Sequence, residues 1–195
     1  AVKIGLDHLI SERMHLLRGR RVGIVTNHTG RNPDGGHIVD LLAGAGIELG
    51  AIFAPEHGFR GGSEAGKHID DNVDPKTGTP IYSIYGKIRK PTDAMLTDVD
   101  VLIFDIQDIG ARFYTYISTM GYAMEAAAEH QLPFIVLDRP NPTAEKTEGR
   151  VLNPEYQSFV GMYPIPVRHG LHDRCPSTRR PVSGPLPSPG RRADR

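Results

Sequence analysis

The chain has 195 residues, 38% of them hydrophobic, which suits one domain of ordinary size or one domain plus a tail. Lys and Arg total 23 and balance Asp and Glu at 23, so no global field points to nucleic acid or to a membrane surface. A single cysteine, Cys175, excludes an internal disulfide framework and a cysteine-rich zinc site, and no run approaches the roughly 18 apolar residues of a membrane span.

Alternating periods follow along the chain. Residues 4–17 place Leu6, Leu9, Ile10, Met14 and Leu17 in one stripe, which predicts a helix. Residues 21–26 form a β-branched run ended by Asn27-His28-Thr29-Gly30, a strand and then a turn. Ile38, Leu41, Leu42 and Ala45 share a helical face, with Gly46 as its stop. Residues 51–54 predict a second strand, residues 60–78 a long polar loop, and residues 80–85 a third strand. Residues 99–104 read as a buried strand, Ile117, Met120, Met124 and Ala127 mark the next helix, and residues 132–137 form the closing strand. Nearly continuous apolar strands alternating with amphipathic helices predict a doubly wound, mostly parallel α/β sheet with helices on both faces, a Rossmann-like fold.

Residues 171–195 differ in kind. Five prolines and six arginines among these 25 residues leave too little apolar surface to offset ordering entropy, so the expected division is an α/β domain at 1–170 and a disordered Arg/Pro-rich tail at 171–195.

Ligands of open parallel sheets bind beyond the carboxyl ends of the strands. Those ends carry Asn27 and His28, then Glu56 and His57 in AIFAPEHGFRGG (residues 51–62), then Asp105, Gln107 and Asp108, then Asp138, Arg139 and Asn141. Each has a structural alternative: Asn27 an Asx-turn, Asp105 a helix cap, His57 a satisfied turn histidine. Together on one edge they predict a site. Neither G-x-G-x-x-G nor G-x-x-x-x-G-K-[ST] follows the first strand, which disfavours a nucleotide-binding domain, and no G-x-S-x-G nucleophile is present. His28, His37, His57 and His68 with Asp70 and Asp71 match no metal-ligand spacing, so no metal is expected. Carboxylates, arginines, Tyr114 and Tyr116 suit acid–base chemistry on a sugar.

PEHGFRG, TGTPIYSIYG, DVLIFDIQDIGARFYTYISTM, VLDRPNP and FVGMYPIPVRHG occur in this order, and over residues 5–170 the chain resembles the NamZ-type exo-β-N-acetylmuramidases. The resemblance implies a Rossmann-like domain facing a smaller C-terminal domain across a cleft. The implied activity is release of N-acetylmuramic acid from non-reducing ends of peptidoglycan fragments in cell-wall turnover. No cofactor is implied, and the partner is a peptidoglycan-derived saccharide. Export to the periplasm or exterior is implied too, with no signal peptide visible in this chain. It implies Glu56 as catalytic acid, with His57, Asp105 and Asp108 as further catalytic candidates. Asn27, Arg60, Gln107, Arg112, Tyr114, Asp138, Arg139, Asn141 and His169 are the substrate-binding candidates. The second carboxylate stays open among Asp105, Asp108, Asp138 and Glu148, as do retaining, inverting and acetamido-assisted routes. Phe53 and Phe59 are expected to desolvate Glu56 and hold its proton. Arg60, Arg112 and Arg139 are the candidate forks for the lactyl carboxylate. After Gly170 the family's C-terminal domain is replaced by the tail, which raises a frameshift or truncation and, with it, a saccharide-binding remnant without turnover.

Overall fold

A computed structural model of the chain describes residues 3–55, 59 and 72–170. The expectations for Glu56, His57, Arg60 and the tail at 171–195 therefore lie outside the described residues, as do His68, Asp70 and Asp71.

Among the described residues six strands form one sheet: β1 (Val22–Thr26), β2 (Leu49–Ala54), β3 (Asn72–Val73), β4 (Pro80–Ser83), β5 (Val101–Asp105) and β6 (Phe134–Val136), in the order β3-β4-β2-β1-β5-β6. All neighbours pair in parallel except β3 and β4. The helices are α1 (Gly5–His8), α2 (Ile38–Gly44), α3 (Asp93–Leu96) and α4 (Tyr116–Glu129). The predicted α/β class is the observed one.

The strands alternate sides as a two-residue period requires. Ile24, Ile52 and Ile103 join Leu6, Leu9, Ile38 and Leu42 in one core. Val25, Phe53, Leu102 and Phe104 join Met95, Leu96, Ala123 and Ala126 in the other. Both faces of the central strands are thus covered, which is why β1 and β5 are buried along their whole length.

Three elements differ from the sequence expectation. The predicted first helix is α1 continued by a π-helical stretch, Leu9–Arg13, and a 3₁₀ turn, Met14–Leu16. Buried Leu6, Leu9 and Leu17 and partly buried Met14 step by 3, 5 and 3 residues, and the wide turn absorbs the step of five. Ile10 falls off the stripe and is exposed. Within the predicted polar loop, Asn72 and Val73 pair antiparallel with Ile81 and Pro80. The Asp74 turn closes that hairpin: Asp74 N–H donates to Thr79 O at 2.8 Å, and Thr77 Oγ1 donates to Asp74 Oδ2 at 2.8 Å. Lastly α3 has a single turn, too short for a periodic signal.

The crossovers fix the crevice. From β1 the chain moves to β2 and β4 on one side, then returns to place β5 on the other, so the strand order reverses between β1 and β5. That is the switch point at which open α/β sheets take ligands.

Candidate functional site

Parallel pairing puts the carboxyl ends of β1, β2, β5 and β6 on one edge, and Asn27, Asp105 and Asp138 lie at three of those ends. β2 leaves the sheet at Pro55, between β4 and β1, and leads in sequence into Glu56 and His57.

Asn27 is fully buried. Its Oδ1 accepts from Thr29 N–H at 2.9 Å and from Thr29 Oγ1 at 2.6 Å, the Asx-turn considered as its structural alternative. Its Nδ2 is buried with no hydrogen-bond partner among the described residues. One side chain thus closes a turn with its oxygen and leaves a donor over. Thr29 Oγ1 in turn accepts from Gln107 N–H at 3.0 Å, tying the β1 loop to the β5 loop. Gln107 Nε2 donates to Asp108 O at 2.7 Å and Pro140 O at 2.8 Å, extending the tie to the segment after β6.

The motif repeats at Asn141, whose Oδ1 accepts from Thr143 N–H at 2.9 Å and Thr143 Oγ1 at 3.1 Å. Sequence reasoning passed over both threonines. The signal was present as N-H-T after β1 and N-P-T after β6. Gly110 lies against the second turn with φ of 78°, and a Cβ there would collide with Asn141 and Thr143.

Asp105 is fully buried and held from two sides: Arg139 Nε donates to Oδ1 at 2.6 Å and Nη2 to Oδ2 at 3.0 Å. A third arm, Nη1, donates to Arg31 O at 3.1 Å. Burial pushes the Asp105 carboxyl above its ordinary range, and the Arg139 fork opposes that rise. With both oxygens occupied, Asp105 serves the sheet edge as an anchor and not as a helix cap. Asp108 is only half-buried; its Oδ1 accepts from Gly110 N–H at 2.5 Å and lies 3.6 Å from His169 Nε2. His169 is buried, and neither ring nitrogen has a hydrogen-bond partner among the described residues. Its main-chain N–H donates to Gly110 O at 3.1 Å, which brings the last predicted motif back to the β5 loop. Asp138 accepts from Gly5 N–H through its main-chain oxygen at 2.7 Å. Glu148 pairs with Arg168 at 3.0 Å on the surface.

Arg112 sits apart in role. Its Nη1 donates to Arg150 O at 2.8 Å and to Ile165 O at 2.7 Å, bracing the 148–168 segment. Tyr114 is exposed and meets Tyr116 edge to face at 5.6 Å. Phe53 belongs to the core under α4, and Phe59 to the opposite core, edge-on to His37 at 5.0 Å; the desolvation of Glu56 expected of them lies outside the described residues.

His37 caps α2. Its Nδ1 accepts from Val39 N–H at 3.3 Å while Nε2 meets Asn27 O at 2.8 Å. His28 is exposed. Among the described residues no three His, Cys, Asp or Glu side chains gather as a metal site, and no helix is long and apolar enough to cross a membrane.

Known proteins share this fold. The chain is 53% identical over 172 residues to the peptidoglycan beta-N-acetylmuramidase NamZ of Bacillus subtilis (strain 168), a match covering 87% of this chain and 42% of that protein. Crystal structures of two DUF1343 family proteins from Bacteroides fragilis NCTC 9343 superpose with TM-scores of 0.79 and 0.75 at 50% and 40% identity. They cover 87% and 88% of this chain and 43% and 44% of theirs, so the chain spans less than half the length of these relatives. The family described as exo-beta-N-acetylmuramidase NamZ, N-terminal, matches residues 22–172, and the chain belongs to it.

Proposed function

We propose that this chain supplies the N-terminal half of a glycosidase site that releases N-acetylmuramic acid from non-reducing ends of peptidoglycan fragments. The observation that carries the reading is the polar network across the carboxyl ends of β1, β5 and β6. It runs from Asn27 through Thr29, Gln107 and Asp108 to His169, whose ring lies 3.6 Å from Asp108, and among the described residues Asn27 Nδ2 and the His169 ring nitrogens are buried without a hydrogen-bond partner. Buried polar atoms are ordinarily paired, and unpaired ones concentrated in a crevice suit a polar ligand. The activity named for the Bacillus subtilis relative supports a saccharide as that ligand.

In this reading Glu56 is the general acid that protonates the leaving oxygen, with His57 beside it in sequence. Asp108 is the better second carboxylate: it is partly accessible, whereas both Asp105 oxygens are taken by Arg139. Asp105 and Arg139 act as positioning residues. Asn27, Asn141 and His169 orient polar groups of the sugar, and Asp138 and Gln107 complete the rim. Residues 1–170 form the saccharide-handling domain.

A second reading is a domain that holds saccharide without turnover. Hydrolysis of a chromogenic N-acetylmuramic acid glycoside separates the two. Measured release by this chain, abolished by Glu56→Gln, supports the glycosidase. Binding of the glycoside without release supports the holding domain, and neither binding nor release overturns both.

A further inference from the structure

Three arginines were candidates for recognising a carboxylate, and two of them have other work. Arg139 is neutralised by Asp105, and Arg112 spends Nη1 on two main-chain oxygens. A fourth cation, which the sequence did not single out, lies in a different setting.

An open groove of about 650 Å³ lies beside the first turn of α4. Tyr85, from the chain just past β4, lines one wall, and Phe113 and Tyr114, from the β5–α4 connection, with Tyr116, the first residue of α4, line another. Phe159 returns from the C-terminal segment and stacks on Tyr122 of α4 at 6.1 Å. Over the Phe159 ring sits Arg89, its guanidinium carbon 4.5 Å from the centroid, with Nε donating to Gly86 O at 3.2 Å. Phe113 and Tyr114 are 56% and 40% exposed, so their rings are presented to solvent and are not packed away.

Single exposed rings need no explanation, but a concavity walled by several of them does. Ring faces carry negative charge density and attract the polarised C–H faces of a sugar. The Arg89 terminal nitrogens have no hydrogen-bond partner, and no carboxylate lies within ion-pair distance of them, among the described residues. The neighbouring cation is compensated: Lys90 pairs with Glu129 at 2.8 Å and Glu125 at 3.5 Å. Rings for a sugar face and one uncompensated fork for an anion make a site for a carboxylate-bearing sugar. The groove lies toward the same edge, since Tyr85 follows the carboxyl end of β4, which runs parallel to β2, and Phe113 and Tyr114 follow β5.

We propose that this groove binds the acidic sugar of a glycan, with Arg89 as the residue that selects its carboxylate. The choice of N-acetylmuramic acid as that sugar rests on the function proposed above. Arg89 holds the carboxylate by two parallel N–H donors, and Phe113 and Tyr114 take the ring and its neighbour.

The test is calorimetric titration of this chain with the β-1,4-linked N-acetylmuramic acid–N-acetylglucosamine disaccharide and with its methyl ester. The free acid is expected to bind roughly tenfold or more tightly than the ester, as a charge-assisted fork should give. Arg89→Gln should bring the acid down to the level of the ester, while Phe113→Ala should weaken both alike and keep their ratio. If Arg89→Gln retains the preference for the acid, the assignment of Arg89 is wrong while the saccharide reading of the chain stands. If the unaltered chain binds neither form, that reading fails for this chain and the groove proposal fails with it.

Discussion

Arg139 and Asp105 lie 34 residues apart in sequence and meet through two short hydrogen bonds beneath the switch point of the sheet. Removing one member of a buried pair strands a charge, at a cost of roughly 3–5 kcal/mol. Arg139→Gln is therefore expected to destabilise the domain by about that much in urea unfolding at neutral pH.

That variant should also acquire a pH dependence. Burial raises the folded-state pKa of Asp105, and without Arg139 nothing offsets the rise. For a carboxyl raised above its unfolded value, the favourable contribution is complete below the unfolded pKa and is lost as pH climbs through the folded one. Arg139→Gln should thus lose stability, relative to the unaltered chain, between about pH 4 and neutrality. Adding Asp105→Asn should flatten that profile; a slope that persists would place its source elsewhere.

Asp100 behaves in the opposite sense. Arg21 donates to it from the side-chain Nε at 3.1 Å, from Nη2 at 2.9 Å and from the main-chain N–H at 2.8 Å. These bonds lower its carboxyl from the usual value to about 2. The contribution is present above the unfolded pKa and disappears as pH falls through about 2. A carbon-detected NMR titration should find the Asp100 midpoint well below the ordinary aspartate value, and Asp100→Asn should remove part of the acid sensitivity below about pH 4.

Gly110 needs its missing side chain. With φ of 78° and the Asn141 turn pressed against it, Gly110→Ala should cost on the order of 1–3 kcal/mol. Saccharide binding should fall further than stability alone explains, because Asn141 must move. Equal losses from Gly110→Ala and from a stability-matched core variant such as Ile103→Val would show that Asn141 has no part in binding.

For catalysis the decisive substitution is Glu56→Gln, made at the matching glutamate of a full-length family member. Turnover should drop by roughly 10²–10⁴-fold with binding largely kept, because the amide cannot donate the catalytic proton. A drop smaller than about tenfold would remove this glutamate from the role of acid.

The parallel sheet was legible because β1, β2 and β5 are short apolar runs punctuated by polar residues, and burial on both faces leaves that mark. Asn27, Asp105 and Asp138 fell on one edge for the same reason. What stayed hidden depends on long-range pairing. Nothing local marks Arg139 as spent on Asp105 or Arg112 as spent on Ile165, and an arginine's sequence position does not reveal whether its charge is already answered. Phe53 and Phe59 lie six positions apart in sequence, yet they enter opposite cores. The aromatic groove required Phe159 to fold back onto Tyr122, a contact across 37 positions that no periodicity encodes.

One buried imidazole carries a consequence for how this edge is assembled. His37 accepts the Val39 N–H through Nδ1, so its proton resides on Nε2, where it reaches the Asn27 carbonyl. The ring must be neutral and in one tautomer to make both bonds. Helix α2 and the end of β1 are thereby coupled through a single hinge pin: a proton added to Nδ1 would evict the helix cap, and a shorter cap such as asparagine would release the strand end. The geometry around Asn27 is thus tied to the protonation state of a buried ring at the start of a neighbouring helix.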